Sequence, residues 1–129
     1  MIWQKAILAL SWLILAGIVA QFYFVGLVIF GVTGFTLHAV TGTILIPASL
    51  ILTVMIVSTR SIRPVAWPSL GLFLLAVLQP VLVFLPRAAA PAVSALHSLV
   101  ALAILYLAFR LTKLLATGNS GAEPAGGAG

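Results

Sequence analysis

Four long apolar runs, separated by short polar or proline-containing stretches, dominate the pattern of hydrophobic and polar positions along the chain. A helix needs about 20 apolar residues to cross the hydrocarbon core of a bilayer. Each run is that long, and none shows the strict alternation that is typical of a half-buried strand. We therefore predict four membrane-spanning helices, near residues 6–29, 34–58, 66–86 and 91–114.

The stretches between the runs predict short connections. "GVTG" after the first run indicates a tight turn, and "RSIRP" and "PRAAAP" carry prolines, which cannot continue a helix. The fold class is thus all-α, an integral membrane four-helix bundle with up-down-up-down topology over residues 1–115. Residues 116–129 are small, polar and glycine-rich, and this composition predicts a disordered cytoplasmic tail.

Composition supports the membrane assignment and removes several function classes. The 129 residues are 64% hydrophobic and 5% charged, whereas an average soluble domain has about 25% charged residues. The net charge of +5 comes from cations scattered at the ends of the runs, which does not form the basic patch of a nucleic-acid-binding protein. The absence of cysteine excludes disulfides, thiolate metal sites and cysteine catalysis.

The distribution of Lys and Arg predicts the orientation of the bundle. Basic residues near the ends of spans are biased to the cytoplasmic side. If both termini are cytoplasmic, only Arg87 lies on the outer side, and five cations lie on the inner side: Lys5, Arg60, Arg63, Arg110 and Lys113. We therefore predict a multi-pass protein with cytoplasmic N- and C-termini.

Four strongly polar side chains occur at a similar depth, in the outer half of the predicted bundle. They are Gln21, His38, Gln79 and His97, one in each run. Polar groups within a membrane face the bundle interior rather than lipid, so we expect these four to converge. The segments "LHAVTGTIL" and "LHSLVALAIL" around the two histidines form a weak internal repeat.

Two histidines with no acidic residue nearby restrict the possible chemistry. Zinc sites usually have three or four protein ligands, a proton relay usually needs an intramembrane Asp or Glu, and a Ser–His hydrolase needs an orienting carboxylate. Haem b requires only two axial imidazoles and itself carries the redox chemistry. The sequence therefore predicts one bis-histidine haem b near the outer face, with His38 and His97 as its metal ligands.

Further residues complete this predicted cofactor site. Gly42 and Ala101 each lie one turn beyond a histidine, where a small side chain leaves space for a porphyrin. We expect Gln21 and Gln79 to contact the cofactor and Arg87 to bind a propionate. Hydroxyl groups near the histidines are candidates for orienting the imidazoles, namely those of Thr41, Ser94 and Ser98.

Two other functions remain open from the residues alone. The histidines and glutamines are also the kind of side chain that forms ordinary hydrogen bonds between membrane helices. On that interpretation the protein is a non-catalytic structural or accessory subunit of a larger membrane complex, or assembles as a homo-oligomer. A small transporter for a neutral solute is a third possibility. In each case the protein is more plausibly a non-enzyme, and no feature indicates nucleic acid as a partner.

Two short motifs carry a resemblance to a known group of proteins. "QFYFVG" at 21–26 has the pattern Gln-aromatic-x-x-x-Gly, and "HAVTG" at 38–42 has the pattern His-x-x-x-Gly. In these motifs the chain resembles small bacterial four-helix integral membrane proteins of uncharacterised activity, over most of residues 6–114. That resemblance implies a bacterial cytoplasmic (inner) membrane. The histidine pair is also loosely similar to that of b-type membrane cytochromes, which implies electron transfer.

Overall fold

The computed structural model describes residues 2–84 and 91–120, and these residues form helices joined by short turns, with no strands. The helices are α1 (Ile2–Ile29), α2 (Thr36–Ser58), α3 (Ala66–Phe84) and α4 (Pro91–Ser120), with a 3₁₀ helix at Arg60–Val65. The structure thus confirms the all-α class. It contains four helices that are long and apolar enough to cross a membrane, the third counted together with the 3₁₀ helix.

The helix ends differ from the predicted spans where polar residues continue a helix. The first helix begins at Ile2 rather than near residue 6, and the fourth continues to Ser120 rather than ending near residue 114. The prediction of a disordered tail from residue 116 is therefore wrong for residues 116–120. The Thr117 hydroxyl donates to the Lys113 carbonyl at 3.1 Å, and no proline lies between Pro91 and Pro124 to end the helix. The rest of the predicted tail lies outside the described residues.

The turn between α1 and α2 is made by a glycine in the left-handed region. Gly31 has a φ of +70°, a conformation that glycine adopts without steric cost. The Val32 amide donates to the Leu27 carbonyl at 2.8 Å, and the Gly31 amide donates to the Val28 carbonyl at 3.0 Å. These two bonds form a Schellman motif, which satisfies the last carbonyls of α1 and reverses the chain. The predicted tight turn is thus built around Gly31.

The four helices form a closed ring in which each packs against two neighbours. Backbone contacts join α1 to α2, α2 to α3, α3 to α4 and α4 to α1. Among the described residues, no such contacts join the diagonal pairs, α1 with α3 or α2 with α4. A side chain on α2 can therefore meet one on α4 only across the centre of the bundle.

The bundle is tightly packed towards one end. We call this the terminal end, because α1 begins there, and we call the opposite end, with residues 30–35, the turn end. Side chains from all four helices form the core in the half of the bundle at the terminal end: Ile7, Ile14, Leu15 and Ile18 of α1, Leu52 and Ile56 of α2, Leu72 of α3, and Ile104, Ala108, Leu111 and Leu115 of α4.

Buried hydroxyl groups connect the helices within this packed half. Thr53 on α2 donates to the Ser69 carbonyl on α3 at 3.0 Å. Thr112 on α4 donates to the Ser11 carbonyl on α1 at 3.4 Å. The two bonds are equivalent, because each runs from an even-numbered helix to the next helix around the ring.

The equivalence extends along the whole chain as an internal repeat of a helical hairpin. In α1 and α3, equivalent residues are 58 positions apart, and in α2 and α4 they are 59 positions apart. The repeat is stronger than the two histidine segments alone predicted. Its polar and small members are the pairs Ser11 and Ser69, Gln21 and Gln79, His38 and His97, Gly42 and Ala101, and Thr53 and Thr112.

Candidate functional site

A cavity of about 530 Å³ lies between all four helices in the half of the bundle at the turn end. Its walls are mostly apolar, and its lining includes both histidines and both glutamines. We call it the histidine cavity. The structure brings together six of the seven residues predicted to bind a cofactor, while Arg87 lies outside the described residues: Gln21, His38, Gly42, Gln79, His97 and Ala101 line the cavity.

The two histidine side chains meet across the centre of the bundle. The ring centroids of His38 and His97 are 6.1 Å apart, and the ring planes are inclined by 65°. Both residues are half-buried. His38 is the third residue of α2 and His97 is the seventh of α4, yet the rings reach the same level, as their similar predicted depth requires. The diagonal arrangement of α2 and α4 thus turns two distant residues into a facing pair.

Gln21 holds His38 from the neighbouring helix α1. The two ends of a carboxamide have nearly the same shape, so their hydrogen-bond partners decide which end is nitrogen. In the orientation that satisfies both ends, the Gln21 nitrogen donates to His38 Nδ1 at 2.8 Å. Its oxygen accepts from the backbone N–H of Gly42 at 2.9 Å. The amide therefore bridges the imidazole and the backbone one turn further along the same helix.

Gln79 holds His97 in the same way from α3. In the equivalent orientation, the Gln79 nitrogen donates to His97 Nδ1 at 2.6 Å, and its oxygen accepts from the backbone N–H of Ala101 at 3.0 Å. The backbone carbonyl oxygen of Gln79 also lies 3.3 Å from His97 Nδ1. Each hairpin thus contains a complete glutamine–histidine pair.

The small residues Gly42 and Ala101 lie where the glutamine amides meet the helix backbone, and their predicted role as clearance for a porphyrin stays a prediction. The Gln21 amide lies beside Gly42, at ordinary van der Waals distance from where a Cβ atom would be, and it accepts from the Gly42 N–H at 2.9 Å. The backbone N–H of Ala101 receives the Gln79 amide in the same way. Both residues line the cavity, and both give the glutamine amides access to the helix backbone.

The hydroxyl groups near the histidines form no hydrogen bond to the imidazole rings in the described part of the chain. Thr41 contacts the amide of Gln21 instead, and its hydroxyl oxygen also lies 2.6 Å from the Leu37 carbonyl oxygen. Ser98 lines the cavity. The buried Ser94 hydroxyl has no hydrogen-bond partner among the described residues. The glutamines, rather than these hydroxyl groups, orient the imidazoles.

The remaining ring nitrogens determine what the cavity can bind. Nδ1 of each histidine is turned to its glutamine, and neither Nε2 atom forms a hydrogen bond to a described residue. The cavity therefore contains two uncommitted imidazole nitrogens within apolar walls. Such a pair can bind one metal centre through two nitrogen lone pairs, or donate two N–H hydrogen bonds to a ligand, according to which nitrogen carries the proton.

Comparison with known proteins identifies a family but no described relative. A model described as a family of unknown function (DUF6220) matches residues 21–90, which is more than half of the chain. The matched range contains Gln21, His38 and Gln79, and it ends before His97. No curated protein and no solved structure matches the chain.

Proposed function

The chain belongs to the DUF6220 family, whose function is unknown, and from the histidine cavity we propose that it binds one haem b between His38 and His97. It acts as an electron-transfer protein or haem-carrying subunit of a bacterial inner membrane. One observation carries the proposal, the pairing of two imidazole rings across a shared apolar cavity.

The separation of the rings fits two ligands on opposite sides of a single metal ion. With metal–nitrogen bonds of about 2 Å, two such imidazoles have centroids about 6 Å apart. The centroids of His38 and His97 are 6.1 Å apart. The rings therefore already have the separation that two such ligands require.

The number of ligands and the size of the cavity favour haem over a bare metal ion. Among the described residues, no group of three or more His, Cys, Asp or Glu could hold a metal ion. A metal in a porphyrin needs only axial ligands from the protein. The cavity volume of about 530 Å³ lies within the range of small-molecule sites.

The surroundings of both histidines can support metal ligation through Nε2. A ligating imidazole usually donates its Nδ1 proton to an acceptor. The Gln79 carbonyl oxygen, 3.3 Å from His97 Nδ1, is such an acceptor. For His38, rotation of the Gln21 amide by half a turn presents its oxygen to Nδ1. Each ring therefore has an acceptor within reach.

The haem would supply one-electron redox chemistry, and the protein would determine where it takes place. The walls of the cavity are mostly apolar, and the histidines would hold the cofactor close to the turn end of the bundle. With the termini in the cytoplasm, as the excess of Lys and Arg at the terminal end favours, this site lies near the outer face. A single haem there would exchange electrons with a partner on the outer side or within the membrane.

The absorption spectrum of the purified protein tests the proposal. Protein produced with sufficient haem should show a strong Soret band and a sharp α band on reduction, since both axial positions are filled by imidazole. His38→Ala and His97→Ala should each abolish or convert this spectrum to a similar extent, because each removes one of two equivalent ligands.

A matched control separates haem binding from folding. Ser58→Ala lies at the opposite end of the helix that carries His38, and the Ser58 hydroxyl bonds only to the Val54 carbonyl of the same helix. This variant should keep the full spectrum. Folded, colourless wild-type protein that takes up no added haemin would overturn the proposal and leave the histidines as helix-packing groups of an accessory subunit.

A further inference from the structure

We infer that Gln21 and Gln79 are positioning residues that decide which nitrogen of His38 and His97 carries the proton. The inference begins with the ligand-free bundle and rests on the proposed function only in its last step, the effect on haem binding. It concerns the two bridging amides of the histidine cavity.

The helix backbone fixes the orientation of each amide. The N–H groups of Gly42 and Ala101 can only donate, so the amide ends that face them at 2.9 and 3.0 Å must be oxygen. The opposite ends must then be nitrogen, and an amide nitrogen can only donate. Nδ1 of each ring, at 2.8 Å from Gln21 and 2.6 Å from Gln79, therefore accepts a hydrogen bond. For His97 this short contact prevails over the Gln79 carbonyl oxygen, which lies further from Nδ1 at 3.3 Å.

An imidazole that accepts at Nδ1 carries its proton on Nε2 when it is neutral. Both rings of the ligand-free protein thus present an Nε2–H group as the free nitrogen. Metal ligation requires the other tautomer, in which Nε2 is unprotonated and Nδ1–H donates. Loading the cavity with a metal centre therefore requires each proton to move to Nδ1 and each glutamine amide nitrogen to turn away from it, after which the Gln21 amide oxygen and the Gln79 backbone carbonyl can accept from Nδ1–H.

The two hairpins allow this to be tested one histidine at a time. Gln21 contacts His38 and Gln79 contacts His97, and neither glutamine forms a hydrogen bond to the other histidine among the described residues. The chain has only two histidines. A ¹⁵N spectrum of histidine-labelled protein therefore contains one set of ring signals for each half of the bundle.

The first experiment measures the tautomers in haem-free protein in detergent micelles, with signals assigned from His38→Ala and His97→Ala. The wild type should show an unprotonated Nδ1 and a protonated Nε2 in both rings. Gln21→Leu should shift the ring signals of His38 alone, Gln79→Leu those of His97 alone, and Ser58→Ala neither. An Nδ1–H tautomer in the wild type, or a leucine variant that leaves its own histidine unchanged, would overturn the inference.

The second experiment measures haemin affinity and midpoint potential. A glutamate side chain accepts from Nδ1–H and presets the ligating tautomer, so Gln21→Glu and Gln79→Glu should each bind haemin roughly tenfold more tightly than the wild type. Each should also lower the midpoint potential, because a more basic imidazole stabilises ferric iron. Haemin affinity and potential equal to those of the leucine variants would contradict the assigned role.

The two experiments separate the failure of this inference from that of the proposed function. If the wild type takes up no haemin, the proposed function fails, and the ¹⁵N spectra still decide whether the glutamines set the tautomers. If haemin binds while the spectra show no dependence on the glutamines, the inference fails alone.

Discussion

At the scale of single residues, Thr53 and Thr112 connect neighbouring helices by the same means as the glutamines, a side-chain bond to the backbone of the next helix. Thr53 Oγ1 lies 2.9 Å from the Ser49 carbonyl oxygen on its own helix and 3.0 Å from the Ser69 carbonyl oxygen on α3. Both threonines are buried in the packed half of the bundle. Hydrogen bonds of this kind between membrane helices contribute modestly to stability.

Replacing either threonine by valine keeps the volume and removes the bond. We expect Thr53→Val and Thr112→Val each to lower the free energy of unfolding by about 0.6 kcal/mol. The double variant should lose about twice as much, since the two bonds join different helix pairs. Unfolding of the detergent-solubilised protein by a denaturing detergent, followed by circular dichroism, measures these changes.

Thr117 supplies the control for these variants. Its hydroxyl group is exposed and bonds only to carbonyls of its own helix, so Thr117→Val should leave the stability almost unchanged. A loss at Thr117 as large as at Thr53 would show that valine itself, rather than the missing bond between helices, causes the effect.

The sequence predicted that four polar residues would share a depth, but not how they would pair. Depth follows from the helical rise of 1.5 Å per residue, and this is why His38 and His97 could be placed at one level. The rotation of each helix about its own axis could not be predicted from the sequence. These helices are apolar on every side, so no contrast between a core face and a lipid face shows which side chains point inwards.

The hydrogen bonds of Gln21 with His38 and of Gln79 with His97 depended on that rotation. The constant spacing between equivalent polar residues was the signal that could have shown the pairing. Two glutamines 58 positions apart and two histidines 59 positions apart indicate that each hairpin repeats the same arrangement.

At the scale of elements, hydropathy located the four helices but not their ends. A run of apolar residues marks the part of a helix that lies in lipid. The helix itself extends further, because backbone hydrogen bonding continues until a residue interrupts it. Polar residues at the start of α1 and the end of α4 remain helical for this reason. The α1–α2 turn was predictable because its signal, a glycine-rich stretch, has a direct conformational cause.

Adding a single methyl group at Gly31 should therefore lower the stability of the protein. An L-residue in the left-handed region costs about 1 kcal/mol relative to glycine. We expect Gly31→Ala to lower the unfolding free energy by that amount, although a Cβ atom there would meet no neighbouring atom within 4 Å. Denaturing-detergent titration of the two proteins measures the difference.

Gly34 in the same turn provides a comparison at nearly the same place. A Cβ atom on Gly34 would also meet nothing within 4 Å, and Gly34 does not have a positive φ. Gly34→Ala should change the stability by less than about 0.5 kcal/mol. Equal losses at both positions would show that the left-handed conformation of Gly31 is not what the turn depends on.

At the scale of the whole molecule, charge distinguishes the two ends of the bundle. Arg60 and Arg63 lie in the 3₁₀ helix at the terminal end, and Lys5 lies near the start of α1. In the turn at the opposite end, residues 30–35 include no charged side chain. Basic residues favour the cytoplasmic side, so we propose that the terminal end lies in the cytoplasm.

Cysteine labelling tests this orientation directly, because the natural chain has no cysteine. In intact cells, an impermeant thiol reagent applied outside should label Gly34→Cys, in the α1–α2 turn, and should not label Ser61→Cys, in the 3₁₀ helix. Permeabilised cells should label at both positions, which controls for reactivity. Labelling of Ser61→Cys alone in intact cells would reverse the proposed orientation.

The hairpin repeat has a consequence for the geometry of the site that follows from counting crossings. A unit of two helices returns the chain to the end of the bundle where it began, so the second copy starts from the same end as the first. A unit with an odd number of helices would place its copy upside down. Because the repeat is even, α2 and α4 run in the same direction, and His38 and His97 approach the bundle axis as rotated copies at one level. Parity thus places the two imidazoles at one level, and the diagonal positions of α2 and α4 let them face each other across the axis.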